Sequence, residues 1–406
     1  MILKMWHIVE LVVFVYLAFA DIYLFIFAFS GLFPLKRKDK KAQKKRKILV
    51  LIPGYREDAV IIDVAKEALN QDYGTNNYDV VIIADGFKPE TITNLKALNV
   101  RVIEVNLEYS TKSRALNAAL GQTDDTYDVA VILDADNIMA KDFLTRINRA
   151  FCDDYLAVQG HRMAKNLDTP FAILDAVSEE MNNHIFRKGH RVLRLSSALI
   201  GSAMAFNFRY FKRMMKKVEV VGGFDKEIEV RLLEKNHRIE YLPNAVVYDE
   251  KVANAKVFTK QRRRWLSAQV HYFGKSFLPS LRDLFLHGNI DFFNKALQFI
   301  LPPRILLISL LFVIAVVYFF AAPFRVFLPI LILLIVSILV FLLSIPRYFY
   351  NLRTLWALTR LPVGIVLMFF SLLNIKGGNK EFLHTKHTYN AFQIKHPYFY
   401  TKNKKK

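Results

Sequence analysis

Apolar and polar positions change period several times along this chain, and each change predicts a different element. Residues 8 to 33 are almost continuously apolar, as are 305 to 322 and 326 to 345. Because ~20 apolar residues cross the core of a bilayer, each stretch predicts a spanning helix. Between the first of them and residue 250 the pattern shortens. Val- and Ile-rich runs at 47 to 53, 78 to 85, 99 to 105, 127 to 134 and 155 to 160 read as strands, and 58 to 69, 112 to 120 and 141 to 151 as helices between them. Strands alternating with helices imply βαβ units, hence an α/β domain on a parallel sheet covered on both faces. Ligands of such sheets gather outside the carboxyl ends of the strands, where this chain places Gly54, Tyr55, Arg56 and Glu57, then Asp85, then Asp134 and Asp136.

Beyond the alternating region, Leu281, Leu284, Phe285, Phe292, Ala296, Leu297 and Ile300 recur at helical spacing, which predicts one amphipathic helix over 280–300 lying in the membrane interface. Pro302 and Pro303 then break the chain before the second spanning segment. The stretch 354 to 375 is interrupted by Arg360 and Pro362 and reads as an interfacial or re-entrant helix. A full span there would carry eight lysines and one Glu after Ile375 to the outside. Two acids lie within the first apolar segment. Glu10 and Asp21 are about three helical turns apart and share a face. That face should line a polar path or pack against polar groups of the later hairpin.

The net charge of +21 raises nucleic acid as a partner, and its distribution removes it. The cations concentrate in KRKDKKAQKKRK (36 to 47) and in the tail, both beside apolar segments. They mark the cytoplasmic side of a membrane and a surface for anionic headgroups. The single Cys152 excludes an intrachain disulfide and fits a reducing compartment.

Candidate chemistry centres on DVAVILDADN (128 to 137). In an extended segment residues i and i+2 point to the same side, so Asp134 and Asp136 should converge. Two close carboxylates need a cation or a shared proton. Mg²⁺ or Mn²⁺ answers that need, taking one or two carboxylates and filling its remaining positions with water and phosphate oxygens. Asp85 could accept hydrogen bonds from a ribose or base, although a turn-forming Asp-Gly accounts for it equally well. TKSRALN (111 to 117) opens a helix whose amides, with Lys112 and Arg114, could face phosphate. QRRRW (261 to 265) adds guanidinium groups suited to phosphate and a Trp on which a sugar ring can stack.

Together with PGYRE (53 to 57), GSAMAF (201 to 206) and GGFDKEIEVRLLEKNHRIEYLPNA (222 to 245), these stretches resemble glycosyltransferase family 2. The likeness is to its membrane-embedded branch, which includes cellulose, hyaluronan, chitin and poly-N-acetylglucosamine synthases. The matching pieces fall in the family's order over residues 47 to 265. The resemblance implies a GT-A fold, a nucleotide-activated donor, expected to be a UDP-sugar, and metal-dependent inverting transfer to a growing polysaccharide or a glycolipid. Carried over by position, Pro53, Tyr55, Glu57 and Asp85 would contact base and ribose. Lys112 would lie over the diphosphate, and Asp134 and Asp136 would hold Mg²⁺ or Mn²⁺, Asp136 the more directly. Gln261, Arg264 and Trp265 would close over the pyrophosphate and the acceptor end, with Gly201 and Ser202 beside the acceptor.

The family's general base falls on Asp225, but Phe224 stands where an acid usually precedes it. Glu227 is therefore the alternative base, and Glu229 lies close by. The expected organisation is an anchor at 1–35, a basic linker at 36–47, a catalytic domain at 48–255 and the QRRRW segment with interfacial helices at 256–303. A spanning hairpin at 304–346 and an interfacial or re-entrant helix with a basic tail at 347–406 complete it. The catalytic domain would face the cytoplasm of a bacterial inner membrane. Three spans leave a narrow path for a polymer unless subunits associate. Addition of one sugar to a lipid, and a catalytically silent scaffold, are the alternatives.

Overall fold

The computed structural model describes residues 2–36, 44–153 and 155–375. The lysine-rich tail and residues 37–43 of the basic linker lie outside them. Eight strands form one sheet: β1 (Ile48–Tyr55), β2 (Tyr78–Asp85), β3 (Arg101–Val105), β4 (Val129–Ile132), β5 (Ile138–Met139), β6 (Ala157–Ala164), β7 (Met204–Asn207) and β8 (Ile239–Asp249). Their spatial order is β3-β2-β1-β4-β7-β6-β8-β5. The first half is parallel, as the alternation predicts. The second half is mixed: β6 and β8 pair in parallel, whereas β7 runs antiparallel to both β4 and β6, and β5 antiparallel to β8. The expected all-parallel sheet is thus a mixed one. Residue period reports that a segment is extended but not its direction, and β5 and β7 are too short for a period to register.

Both faces are covered. Ile48, Val50 and Ile52 pack with Ile61, Val64 and Ile147 on one side of the sheet, and Leu49 and Leu51 pack with Leu116 and Phe211 on the other. Alternate residues of β1 thus serve opposite helical layers, which is why the run is continuously apolar rather than alternating.

Among the described residues three single helices are long and apolar enough to cross a membrane: His7–Ser30, Arg304–Ala321 and Phe324–Ser344. The two acids of the first face the other two. Ser337 Oγ donates to Asp21 Oδ1 (2.5 Å), and Tyr318 OH donates to Glu10 Oε1 (3.3 Å). The stretch after the hairpin forms Leu352–Leu358 and Leu361–Leu373, bent by 49° where Arg360 and Pro362 interrupt it.

The single helix expected over 280–300 is two. Ala255–His287 ends at Gly288, whose φ of 67° makes a left-handed cap, and Asn289 then caps Ile290–Ile300 by accepting from the Phe292 amide at 3.1 Å. Stop and start signals of this kind outweigh a shared apolar period. The split separates the expected face: Phe285 stays 81% exposed while Phe292 and Ala296 are buried.

The sheet-bearing part of the chain docks on the first long apolar helix through two glycines. Ser30 Oγ donates to the Gly189 carbonyl (3.0 Å), and His184 Nε2 donates to the Ala28 carbonyl (2.8 Å). A Cβ on Gly189 would sit 2.2 Å from the Phe27 carbonyl oxygen, and one on Gly31 would sit 2.5 Å from His184 Nε2. Gly189→Ala must push the helix away, and overpacking of this kind costs about 1–3 kcal/mol. The expected outcome is a lower thermal midpoint in detergent, with Gly121→Ala, whose Cβ meets nothing within 4 Å, as the control whose midpoint does not fall.

Candidate functional site

The carboxyl ends of β1, β2 and β4 open into one cavity of ≈ 1610 Å³. Pro53, Tyr55, Glu57, Asp85, Lys112, Asp134, Asp136, Gly201, Asp225, Gln261, Arg264 and Trp265 all line it, so residues up to about two hundred positions apart meet at one wall. Ser202 and Glu227 are absent from the lining. Ser202 is fully buried, and its Oγ has no hydrogen-bond partner among the described residues.

β1 and β2 run in register, so Tyr55 pairs with Asp85 at the rim. The Asp85 carboxylate accepts from Ser110 Oγ at 2.6 Å, and burial raises its pKa. Its neighbour Gly86 takes φ 66°, so the Asp-Gly turn and a ligand-facing carboxylate coexist at this position. Close packing beneath requires Gly54, where a Cβ would lie 2.7 Å from the Phe87 ring.

The acidic pair is arranged differently from the extended geometry that the sequence predicts. β4 ends at Ile132, and a turn follows in which the Asn137 amide donates to the Asp134 carbonyl at 3.0 Å. Each carboxylate has its own partners. Asp134 is ion-paired to Lys112, which also donates to the Gly201 carbonyl at 2.7 Å. Asp136, nearly fully buried, accepts from Asn137 Nδ2 (2.9 Å) and from the Glu250 amide (2.7 Å). Repulsion between the pair is thus offset by one ammonium and two dipoles from the protein itself. Lys112 occupies the first turn of its helix because Thr111 caps it, accepting from the Arg114 amide at 3.2 Å. Arg114, expected beside it at phosphate, instead reaches Glu219 at 2.8 Å away from the cavity.

Of the three acids near the expected base, only Asp225 reaches the cavity. Gly223, at φ 71°, starts the helix Phe224–Leu233 and leaves Asp225 in its first turn, one-fifth exposed, with Lys226 Nζ 3.8 Å away. Glu227 is held by Arg231 (2.7 Å) and Lys275 (2.8 Å), and Glu229 by Lys295 (2.8 Å).

The helix Ala255–His287 brings in QRRRW. Arg262 is committed to Asp175 at 2.5 Å and lies over the Trp265 ring at 4.4 Å, which covers one face of the indole. Arg264 faces inward. Burial lowers its pKa against the charges of Asp225 and Asp134, and neither a salt bridge nor a hydrogen bond engages it among the described residues. The Gln261 Oε1 is also buried, without a hydrogen-bond partner among the described residues. An anion with oxygen donors and acceptors would satisfy both groups.

Several wall residues escaped the sequence reading. Asp249 ends β8 and is ion-paired to Arg162 and, at 2.8 Å, to Lys251; all three line the cavity. Lys165 donates to the Asp136 carbonyl at 2.8 Å. The signal for them is the polar DEK that ends the apolar run AVVY at 245–248.

Among the described residues no three His, Cys, Asp or Glu side chains converge on one point. Within the cavity the Asp134–Asp136 pair is the acidic pair that the sequence singles out for a divalent ion. That oxygen-only set fits Mg²⁺ or Mn²⁺, which bind through one or two carboxylates with water and phosphate completing the shell, and does not suit a closed zinc site.

Comparison with known proteins agrees with this architecture. A solved mannosyltransferase of Pyrobaculum calidifontis, in complex with GDP-mannose and Mn²⁺, superposes with a TM-score of 0.52 at 16% identity, covering 89% of this chain and 96% of that one. Its likeness establishes the GT-A fold. Two curated proteins are similar in sequence: a probable glycosyltransferase, YdaM, of Bacillus subtilis, 23% identical over 54% of each chain, and a beta-monoglucosyldiacylglycerol synthase of Synechocystis, 24% identical over 57% of this chain and 50% of that one. The chain thus spans about half the length of the curated relatives it matches. The model of the glycosyltransferase like family 2 matches residues 45–268, more than half of the sequence, from the start of β1 to just past QRRRW, and the chain belongs to that family.

Proposed function

We propose that this glycosyltransferase is a membrane-bound inverting enzyme that moves a sugar from a UDP-sugar to a lipid acceptor at the cytoplasmic face. One observation carries the choice of acceptor. The cavity that begins at Lys112, Asp134 and Asp136 continues without interruption to Ile305, Ile308, Ile338, Phe341, Leu355 and Met368 of the apolar helices. A soluble acceptor has no use for such a wall, whereas an acyl or isoprenoid chain lying on it stays out of water and avoids the cost of about 0.8 kcal/mol per exposed CH₂ while its headgroup enters the cavity.

Tyr55, Glu57 and Asp85 hold the nucleoside, and Lys112 and Arg264 take the diphosphate by charge-assisted hydrogen bonds. Asp134 and Asp136 would hold the divalent ion, which when bound neutralises charge on the leaving diphosphate. Asp225 takes the acceptor hydroxyl's proton as the oxygen attacks the sugar's anomeric carbon from the face opposite the diphosphate. The nucleotide departs with the bonding electron pair. The basic run at 36–47 beside the first anchor favours the cytoplasm for this chemistry.

The test is nucleotide release from a panel of UDP-sugars by the full chain in lipid vesicles, with Mn²⁺ or EDTA. Release with one donor in Mn²⁺, and a labelled product that partitions into organic solvent, is the expected result. Labelled polymer retained at the top of a gel would replace the lipid acceptor with a growing glycan. No release with any nucleotide sugar would leave a silent scaffold.

A further inference from the structure

We infer that the lipid acceptor carries an anionic phosphate, and that Arg304, at the membrane end of the cavity, is its docking residue. The inference rests on the lipid-acceptor reading above and narrows it. Three guanidinium groups, Arg187, Arg262 and Arg304, line the cavity near enough for their charges to interact, with Ile305 and Ile308 lining it beside Arg304. Two carboxylates stand behind them. Glu179 pairs with Arg187 at 3.1 Å and Asp175 with Arg262 at 2.5 Å. Arg304 has neither. Its only hydrogen bond among the described residues is to the Ser178 carbonyl at 3.1 Å, and no carboxylate lies within salt-bridge distance. The cluster therefore keeps one uncompensated positive charge, and that charge faces the cavity.

Position makes the excess meaningful. Arg304 is the first residue of a helix long and apolar enough to span, following Pro302 and Pro303, so it stands at the polar end of that helix with isoleucines at 305 and 308 continuing the wall into the apolar region. A cation at a helix start is opposed by the helix dipole, and an anion placed there is favoured by it. A partly buried cation with no carboxylate at ion-pair distance is unfavourable, and a phosphate oxygen relieves both penalties. Arg264 plays a separate part at the other end, beside Asp134 and Asp225, where the donor's diphosphate belongs. The acceptor phosphate takes no part in bond making. It anchors the lipid while a separate hydroxyl loses its proton to Asp225 and forms the new bond to the sugar.

The experiment compares dioleoyl phosphatidic acid, dioleoylphosphatidylglycerol and dioleoylglycerol, each in phosphatidylcholine vesicles, with inorganic phosphate as a competitor. The readout is nucleotide release by the full chain from the UDP-sugar that the panel selects. The phosphate lipid that presents a hydroxyl, phosphatidylglycerol, should stimulate release about tenfold or more over dioleoylglycerol, and phosphatidic acid, lacking that hydroxyl, should compete with it. Millimolar inorganic phosphate should compete only weakly, which separates a lipid headgroup from a free anion. Arg304→Gln should raise the KM for phosphatidylglycerol about 10- to 100-fold, leaving donor affinity and Mn²⁺ dependence unchanged, and Arg304→Lys should restore part of it. Native mass spectrometry of the unmodified chain, retaining phosphatidic acid in preference to dioleoylglycerol, tests the same claim without a variant. Equal stimulation by dioleoylglycerol, or an unchanged KM in Arg304→Gln, overturns the phosphate inference and leaves the lipid-acceptor reading standing. Stimulation by soluble oligosaccharides alone overturns both.

Discussion

Replacing Asp225 with Asn is expected to lower turnover by about 10²- to 10⁴-fold, the range over which a positioned general base acts, while leaving donor binding close to that of the unmodified chain. The amide keeps the size of the carboxylate and cannot take a proton. Its surroundings tolerate the exchange, because Lys226 at 3.8 Å is the only ion-pair partner among the described residues and both groups remain in part exposed. Turnover at saturating donor and acceptor, set beside donor affinity by calorimetry, checks both halves. The control is Glu227→Gln. Glu227 bridges Arg231 and Lys275 away from the cavity, so its loss should change the unfolding midpoint more than the chemical step. A collapse of turnover in Glu227→Gln with near-normal rates in Asp225→Asn would reverse the assignment.

Asp136→Asn carries the second large effect, and it has two separable parts. Both Asp136 oxygens accept hydrogen bonds, one from Asn137 Nδ2 and one from the Glu250 amide. An amide NH₂ placed in either position sets donor against donor, so one buried hydrogen bond is lost at a cost of about 1–3 kcal/mol in stability. The same change removes a negative charge from the pair that would hold the divalent ion. Activity should fall on the order of 10²- to 10³-fold, comparable to losing one preorganised electrostatic group, and the Mn²⁺ midpoint for activity should rise. Thermal unfolding without metal reports the first part, and a metal titration of nucleotide release the second. An unchanged metal midpoint would remove Asp136 from the ion's ligands and leave it a purely structural acceptor.

These predictions rest on residues of unequal visibility. Asp134, Asp136 and Asp85 were legible because apolar runs that end in acids mark the rim of an α/β sheet, and all three line the cavity. QRRRW was legible as a composition, yet its division of labour was not. Nothing in five consecutive letters says that Arg262 turns back to Asp175 while Arg264 turns inward. The acids at 225, 227 and 229 are equivalent by spacing. The orientation of one short helix, set by Gly223 against Tyr272 and Ala268, puts the first on the cavity and the others on basic partners.

Arg162, Asp249, Lys251 and Arg304 were not legible, since each gains its meaning from a neighbour far along the chain. What the sequence by itself determined are the properties that depend on local period and composition: three segments apolar enough to span, the early parallel strands, and the acidic and basic motifs at their ends. Tertiary structure alone decided the antiparallel entry of β7, the split at Gly288, which of the acids at 225, 227 and 229 reaches the cavity, and the single cavity that joins sheet to apolar helices. The reason is physical. Burial of a face needs only the right residues at the right interval, whereas the direction of a side chain and the sharing of charge among distant groups are fixed only when the packed elements compete for the same space.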